Sequence, residues 1–261
     1  METMNKLSFH HYDFSPPWLT DKTPLVLIHG HGADAASWFP QIPDFAKHFP
    51  VIVVDLPGCG ASPESAEKLT IEGLAEAVHD STRGCYGDRI NVMGISLGGF
   101  VSIEFAARYA AEGGKLVLLG TPHSFPEEVK TVLRATVASY QNMSMREIVE
   151  PKIGRAFGKL ASPEMHRFLA EDILKTSHAA YLNLGQAPIE YDPVAKYPRI
   201  RAETLIIAGE LDYIAGPEQA EKLHAALPGS QLLVLPDTGH ALNLENPQAM
   251  NPPVLEFLLS S

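Results

Sequence analysis

The sequence predicts an α/β fold: a mostly parallel central sheet flanked by helices, with an inserted helical cap. Short continuous Val/Ile/Leu runs alternate with helix-like segments, and such runs are typical of strands buried on both faces of a parallel sheet. The alternation stops once, because residues 122–202 contain helical patterns and no strand-like run. We therefore predict a core of residues 1–121 and 203–261 and a cap of residues 122–202.

The elements follow one another in the order that such a fold requires. The run LVLIHG precedes a helix-like segment at 38–49, and VIVVDLPG precedes a loop and a helix at 70–82. INVMGIS leads into LGGFVSIEFAARYAAEGG, whose apolar residues recur at helical spacing. KLVLLG precedes the cap, whose segments PEEVKTVLRATVASYQ and SPEMHRFLAEDILKTSHAAYL are helical in pattern. TLIIAG and QLLVLP then return the chain to the core.

Composition limits the classes of partner. The 261 residues carry a formal net charge of −11, which disfavours nucleic-acid binding because phosphate contacts need a basic surface. No apolar segment is long enough to predict a membrane span, and METMNKLSFHHYDF lacks the pattern of a signal peptide. The two cysteines, Cys59 and Cys85, need no disulfide in a chain of this size, so we expect a cytoplasmic protein with reduced thiols. A mature secreted form is the alternative, and both monomer and homodimer stay open.

The motif GISLGG predicts a nucleophilic serine. It fits G-x-S-x-G, with Ser96 between an apolar strand and an amphipathic helix. So sharp a turn strains the serine backbone, and Gly94 and Gly98 leave room for the close approach of the helix to the strand. The hydroxyl would project from the carboxyl edge of the sheet.

Two later loops offer the partners that a nucleophilic serine needs. GELDYIAGP places Asp212 after the strand TLIIAG, and PDTGHALNLENP places His240 after the strand QLLVLP. Loops that follow parallel strands open on one edge of the sheet, so both should meet Ser96. We predict that His240 is the general base and that Asp212 orients it.

These landmarks resemble the α/β-hydrolase superfamily, in its carboxylesterase-like branch with a helical cap. The resemblance rests on LVLIHGHG, VVDLPGCGAS, GISLGG, GELDYIAGP and DTGHALNLENP, and it covers nearly the whole chain. It implies an α/β-hydrolase fold, no cofactor, and an oxyanion hole made by the backbone N–H groups of His31 and Leu97. The segment before PLVLIHG departs from the family, because it has little room for the usual two leading strands.

The stretch HGHGAD raises the question of a metal site. A binuclear metallohydrolase motif, H-x-H-x-D-H, would need an aspartate at 33 and a histidine at 34, where this chain has Ala33 and Asp34. We therefore predict no metal. The resemblance implies that His29 is structural, and we expect Asp34 to cap the helix that leads to Trp38.

Substrate contacts are expected from His123 and Phe125, which follow the strand KLVLLG, and from Trp38. For the first two, a role only in starting the cap is equally plausible. Asp55 and Glu127 rank below Asp212 as the acid. Cys59 is expected to be an unreactive thiol, because no base or cation cluster lies near it in the sequence.

The resulting hypothesis is a serine hydrolase that cleaves carboxylic esters of small or medium acyl groups through an acyl-enzyme. Alternatives on the same triad are a carbon–carbon bond hydrolase, a lactonase and a perhydrolase. A different class of function is a ligand sensor that keeps a slow, vestigial site. The serine at position 96 argues against branches that use a carboxylate nucleophile.

One stretch of the cap is locally basic. It suggests an anionic substrate or an acidic carrier protein at the cap, although solvated helix faces explain the same pattern. The basic residues are Lys130, Arg134, Arg146, Lys152, Arg155 and Lys159.

Overall fold

The computed structural model describes residues 9–19, 22–82, 89–109 and 114–260. Within them the chain forms a seven-stranded sheet in the order β1-β3-β2-β4-β5-β6-β7. All neighbouring strands are parallel except β1, which pairs antiparallel with β3. The strands are β1 (His10–Asp13), β2 (Leu25–Ile28), β3 (Val51–Asp55), β4 (Asn91–Ile95), β5 (Lys115–Leu119), β6 (Glu203–Gly209) and β7 (Gln231–Leu235).

The sheet is buried because helices cover both of its faces. Every residue of β2, β3 and β4 is buried, which confirms the prediction of a mostly parallel sheet between two helical layers. A single, largely exposed strand, β1, precedes β2 in the described residues, and this agrees with the limited room before PLVLIHG. The helices are α1 (Ile42–Phe45), α2 (Ile71–Thr82), α3 (Leu97–Arg108), α4 (Glu127–Ser139), α5 (Met145–Ala156), α6 (Pro163–Leu174), α7 (His178–Glu190), α8 (Pro217–Ala226), α9 (Leu242–Glu245) and α10 (Pro247–Leu259).

Two apolar clusters form the core, one on each face of the sheet. Helices α2, α3 and α8 contribute to the first cluster, for example through Leu74, Ile103 and Leu223. Helices α1 and α10 contribute to the second, through Phe45 and Val254. Burial of these side chains stabilises the fold at roughly 25 cal/mol per Å² of apolar surface.

The chain between β5 and β6, residues 122–202, is helical and is called the helical insertion below. It contains α4 to α7 and no strand. Helix α5 packs against α6, and α4 packs against α7. A third apolar cluster joins Val149, Ile153 and Leu169 of the insertion to Ala241 and Leu244, which follow β7. The insertion is therefore fixed over the carboxyl edge of the sheet.

No helix in the described part of the chain has both the length and the hydrophobicity needed to cross a bilayer. Cys59 is a free, buried thiol. Cys85, the other cysteine of the sequence, lies outside the described residues.

The last residue of β3, Asp55, ties two loops to the sheet. Its fully buried carboxylate accepts hydrogen bonds from the amides of Ala35 at 2.7 Å and Ala61 at 2.8 Å. Its carbonyl accepts a bond of 2.6 Å from the Ser62 hydroxyl. Asp55 is thus engaged in structure and does not face the cavity described below.

We predict that Asp55→Ala lowers the free energy of unfolding by on the order of 3 kcal/mol, because one buried and one partly buried amide lose a charged acceptor. Urea unfolding followed by circular dichroism measures the change. Asp44→Ala is the control, since this carboxylate is about half exposed, and it should cost less than about 1 kcal/mol. Equal losses in both variants would contradict the structural role of Asp55.

Candidate active site

Ser96 occupies a strained turn between β4 and α3. Its φ of 56° lies in the left-handed region, which non-glycine residues rarely adopt. Its amide donates to the carbonyl of Leu119 at the end of β5, at 2.9 Å. A side chain at Gly98 would overlap the carbonyls of Ile28 and His29, and one at Gly94 would overlap the backbone of Gly98. The two glycines therefore let α3 start directly against the sheet.

His240 and Asp212 form a hydrogen-bonded pair after β7 and β6. The distance from His240 Nδ1 to Asp212 Oδ2 is 2.7 Å, and because a carboxylate only accepts, Nδ1 carries the proton. The other oxygen, Oδ1, accepts from the amides of Ile214 at 2.8 Å and Ala215 at 3.0 Å. Burial opposes ionisation of Asp212, but the hydrogen bond and charge of His240 and these two amides outweigh it. The pKa of Asp212 therefore lies below its ordinary value.

A buried carboxylate that the sequence analysis missed, Glu245, holds the loop that carries His240. Its carboxylate accepts a hydrogen bond from the amide of Gly239 at 2.7 Å. It also accepts from two amides of the helical insertion, those of Gly158 at 2.8 Å and Leu160 at 3.0 Å. The only hint in the sequence was a glutamate five residues after His240. Glu245 is a positioning residue for the histidine loop.

The HGHGAD stretch is a turn after β2, and its first histidine is structural. His29 donates from Nδ1 to the carbonyl of Gly30 at 2.8 Å and accepts at Nε2 from the amide of Leu56 at 2.9 Å. Both ring nitrogens are used, so His29 has none left for a metal. Burial lowers the pKa of His29, which keeps it neutral. Asp34 caps the short 3-10 helix at 35–38 by accepting from the amide of Ala36 at 2.7 Å.

His31 connects this turn to the helical insertion. Its Nε2 donates to the carbonyl of Tyr181 at 2.7 Å, and the two rings stack with centroids 4.0 Å apart. Burial lowers the pKa of His31 to about 4, and the nearby charges of Lys152 and His29 act in the same direction. Within the described residues, the backbone N–H groups of His31 and Leu97 have no hydrogen-bond acceptor. Both residues line one cavity.

A cavity of about 510 Å³ lies between the carboxyl edge of the sheet and the helical insertion. Ser96, His240, His31 and Leu97 all line it. Most of the other lining residues are apolar, and among those described none is an aspartate or a glutamate. The walls come from the insertion as well as the core, with Leu133, Val137, Ile153, Leu169, Ile173, Pro188 and Ile189 on the insertion side.

Of the three residues expected to contact substrate, only Phe125 lines the cavity. It packs against Phe100 at a ring distance of 5.7 Å. His123 lies outside because its amide donates to Gln219 at 3.2 Å and its carbonyl accepts from the hydroxyl of Tyr197, which draw it toward α8.

The expectation for Trp38 is wrong in this structure. Its side chain is fully buried in the apolar cluster that also contains Phe45 of α1. The 3-10 helix capped by Asp34 turns the indole under the sheet instead of toward the cavity.

The two lower-ranked candidates, Glu127 and Cys59, are each placed where they do not serve as acid or nucleophile. Glu127 is exposed and pairs with Arg134 at 2.6 Å. Burial raises the pKa of the Cys59 thiol to about 12, so it is not a nucleophile near neutral pH. No group of three or more His, Cys, Asp or Glu side chains is arranged to hold a metal ion in the described ranges.

Comparison with known proteins agrees with this geometry. A family model for the alpha/beta hydrolase fold matches residues 23–247. The putative carbamate hydrolase RutD of Shigella flexneri serotype X (strain 2002017) is 28% identical over 266 residues, which cover 94% of this chain and 94% of that protein. The enol-lactonase from Burkholderia xenovorans LB400 superposes with a TM-score of 0.87 at 25% identity, covering 98% of each chain. A thermophilic esterase from Thermogutta terrifontis gives 0.84 at 26% identity, covering 96% of this chain and 92% of that one. The chain belongs to the α/β-hydrolase family and is a hydrolase.

Proposed function

We propose that this protein is a serine hydrolase that cleaves carboxylic esters of small or medium acyl groups through an acyl-enzyme. Ser96 is the nucleophile, His240 the general base and Asp212 the orienting acid. One observation carries the proposal: a serine in a strained strand-to-helix turn and a histidine held by a buried carboxylate line the same cavity. That arrangement is what nucleophilic catalysis by serine requires.

Acylation follows from the tautomer of His240. Because Nδ1–H is bonded to Asp212, Nε2 is free to accept the proton of Ser96 as Oγ attacks the ester carbonyl. The carbonyl π electrons move to oxygen and give a tetrahedral oxyanion. When this collapses, the bond to the alcohol oxygen breaks and His240 returns the proton to the leaving alkoxide. The products are the alcohol and an ester of Ser96.

Deacylation repeats these steps with water. His240 takes a proton from water as the water oxygen attacks the acyl carbonyl, and the second tetrahedral intermediate collapses with Ser96 as the leaving group. His240 then protonates Oγ and the carboxylic acid departs. Asp212 stabilises the imidazolium in each half-reaction without itself taking the proton.

The oxyanion would be bound by the backbone N–H groups of His31 and Leu97. Two features support this role: both residues line the cavity, and neither amide has an acceptor within the described chain. The amide of Leu97 also begins α3, where the helix dipole favours negative charge. Donors that are fixed before reaction stabilise the developing charge without reorganisation.

The size and polarity of the cavity support the acyl preference. A volume of about 510 Å³ is at the small-to-middle end of the range for ligand sites. Phe100 and Phe125, with aliphatic side chains of the insertion, give an apolar wall suited to a short or medium chain.

Lactones are the second candidate substrates, because the enol-lactonase shares the fold over 98% of both chains at 25% identity. The carbamate hydrolase named among the relatives adds carbamates to the set that should be tested. A lactone is an internal ester, so the same steps open its ring and no residue need change role. A sensor with a vestigial site would differ in turnover, which would be slow on every substrate class.

We predict that Ser96→Ala reduces kcat on a short-chain nitrophenyl ester by on the order of 10⁴-fold or more, the scale seen when a triad nucleophile is removed. Ser102→Ala is the matched control. Its hydroxyl lies in the same helix, bonds the carbonyl of Gly98 at 2.8 Å and does not line the cavity. Steady-state kinetics on folded, purified variants measures both. Activity of Ser96→Ala within tenfold of the unsubstituted protein would refute the nucleophile.

We predict that Asp212→Asn lowers kcat by about 10⁴-fold, because an amide favours the wrong tautomer of His240. Asp55→Asn is the comparison, since this carboxylate is also buried but bonds the amides of Ala35 and Ala61 and does not line the cavity. It should cost stability far more than turnover. The assignment fails if Asp55→Asn abolishes turnover in the folded protein while Asp212→Asn leaves it intact.

A further inference from the structure

We propose that Lys152 and Arg155 form an anion-binding subsite in the cavity and that the natural substrate carries a carboxylate on its non-reacting end. This rests on the proposed hydrolase function and narrows its substrate class. The two residues lie three positions apart on α5, so their side chains leave the same face of the helix. Both line the cavity that contains Ser96.

The charge balance of the cavity is opposite to that of the protein. The whole chain has 31 acidic and 20 basic residues. The described lining residues nevertheless include a lysine and an arginine and neither an aspartate nor a glutamate. Lys152 is half-buried, and a charge withdrawn from water in a largely apolar cavity is costly unless it is paired, whereas Arg155 remains exposed to solvent. The missing negative charge is therefore expected from the ligand.

The other basic residues of this stretch are not available to a ligand in the cavity. They either pair with a carboxylate or lie outside the cavity lining. Arg134 pairs with Glu127 and Glu190 at 2.6 and 2.9 Å, and Arg146 pairs with Glu150 at 2.6 Å. These exposed pairs do not line the cavity. Lys159 pairs with Asp237 at 2.7 Å, and Lys130 lies outside the cavity lining. Of the six basic residues in this stretch, Lys152 and Arg155 are therefore the two that can offer a positive charge to a ligand in the cavity.

Lys152 is held by aromatic groups and retains donors for a ligand. Its Nζ donates to the hydroxyl of Tyr181 at 2.9 Å and lies 4.4 Å from the ring centroid of Tyr140. An ammonium has three N–H donors, and among the described residues no carboxylate acts on the pKa of Lys152. Burial lowers the pKa of Lys152 to about 8. A carboxylate beside it would satisfy the open donors and favour the charged form.

Arg155 is similarly placed on a tyrosine. Its guanidinium carbon lies 4.2 Å from the ring centroid of Tyr213, the residue after Asp212. A guanidinium has five N–H donors in a planar fork that matches a carboxylate, and no acceptor bonds it within the described chain. Contact with the Tyr213 ring holds the guanidinium beside the cavity.

Each cation is linked to the reacting groups through its tyrosine. Tyr181, which bonds Lys152, also stacks on His31 of the proposed oxyanion turn. Tyr213, which supports Arg155, follows the acid that orients His240. A substrate whose carboxylate lies between the two cations therefore shares one cavity with Ser96.

A small carboxylate fits this site better than an acidic carrier protein. Lys152 is half-buried and lines the interior, whereas a protein surface would dock on exposed cations. Three exposed cations of this stretch, Arg134, Arg146 and Lys159, already have carboxylate partners. Arg155 is also exposed, but it lines the cavity beside Lys152.

The test compares two substrates of nearly equal size: the monoethyl ester of adipic acid and the corresponding half-amide, in which a neutral amide replaces the carboxylate. A second pair carries the carboxylate or amide on the alcohol, as acetyl esters of 4-hydroxybutanoate and its amide. The quantity measured is the ratio of kcat/KM for the anionic over the neutral member. We expect the unsubstituted protein to give a ratio of 10 to 100 in one of the two pairs.

Variants then assign the ratio to residues. Lys152→Gln and Arg155→Gln should each lower it about tenfold, and the double variant should bring it near one. Arg146→Gln is the matched control on the same helix, because Arg146 is paired with Glu150 and outside the cavity. Ratios near one in the unsubstituted protein, or an equal fall in Arg146→Gln, would overturn the subsite. The latter result would favour general steering by surface charge.

A pH series gives a readout that simple packing loss would not move. The ratio should fall as pH rises from 7 to 9.5, because free Lys152 loses its proton over that range. Lys152→Arg should keep the ratio independent of pH. The other groups around the subsite stay fixed there: Arg155 is always charged, burial lowers the pKa of His31 to about 4, and burial raises the pKa of Tyr140, Tyr181 and Tyr213 above its ordinary value.

Calorimetric titration with adipate separates failure of the subsite from failure of the proposed function. Saturable binding to Ser96→Ala protein that is lost in Lys152→Gln and kept in Arg146→Gln supports the subsite even if no ester is turned over. Ester turnover with no adipate binding, and with a ratio of one, would remove the subsite and leave the hydrolase assignment standing.

Discussion

The backbone of Ser96 is held in a conformation that the residue does not favour. A non-glycine residue at a φ of 56° costs on the order of 1–3 kcal/mol, so the surrounding structure has to enforce it. The enforcement comes from Leu119 of β5, which accepts the Ser96 amide, and from the direct contact of Gly98 with the carbonyl end of β2. Exposure of the hydroxyl and the free amide of Leu97 both follow from this turn. The turn after β2 follows as well, because Gly98 packs against its backbone.

The helical insertion does more than cover the cavity. Tyr181 accepts from the ring of His31, the hydroxyl of Thr176 donates to the carbonyl of Gly32 at 2.9 Å, and Asp172 accepts from the amide of Asp34 at 3.1 Å. Three residues of the insertion's second half thus fix the turn that would supply an oxyanion donor. The insertion also contributes the two cations of the proposed subsite. Under these proposals, substrate selection and transition-state stabilisation would both depend on the helical insertion.

The sequence predicted the features that depend on chain order and backbone geometry. Ser96, Asp212 and His240 each follow a strand of the sheet, and the carboxyl ends of parallel strands share one edge, so their proximity followed from the pattern. Side-chain direction was not predictable in the same way. Trp38 and His123 were both expected at the cavity, but a capped 3-10 turn buries the first and hydrogen bonds to α8 and Tyr197 draw the second away.

The same limit applies to charge. The sequence identified a basic stretch in the insertion, but it could not show that Glu190 pairs with Arg134. Glu190 lies 56 residues from Arg134, so the pairing depends on how α4 packs against α7. Glu245 was missed for a similar reason, because its acceptor role spans two segments 85 residues apart or more. Long-range pairing requires the packed structure.

Covalent labelling with a fluorophosphonate, followed by intact-mass measurement and peptide mapping, tests the central claim most directly, since only an activated serine reacts readily with such a reagent. The account predicts one equivalent of label, located on the peptide that contains Ser96, and much slower labelling of Asp212→Asn protein. Labelling of a different residue at full stoichiometry, or a folded protein that takes up no label while still hydrolysing esters, would contradict it.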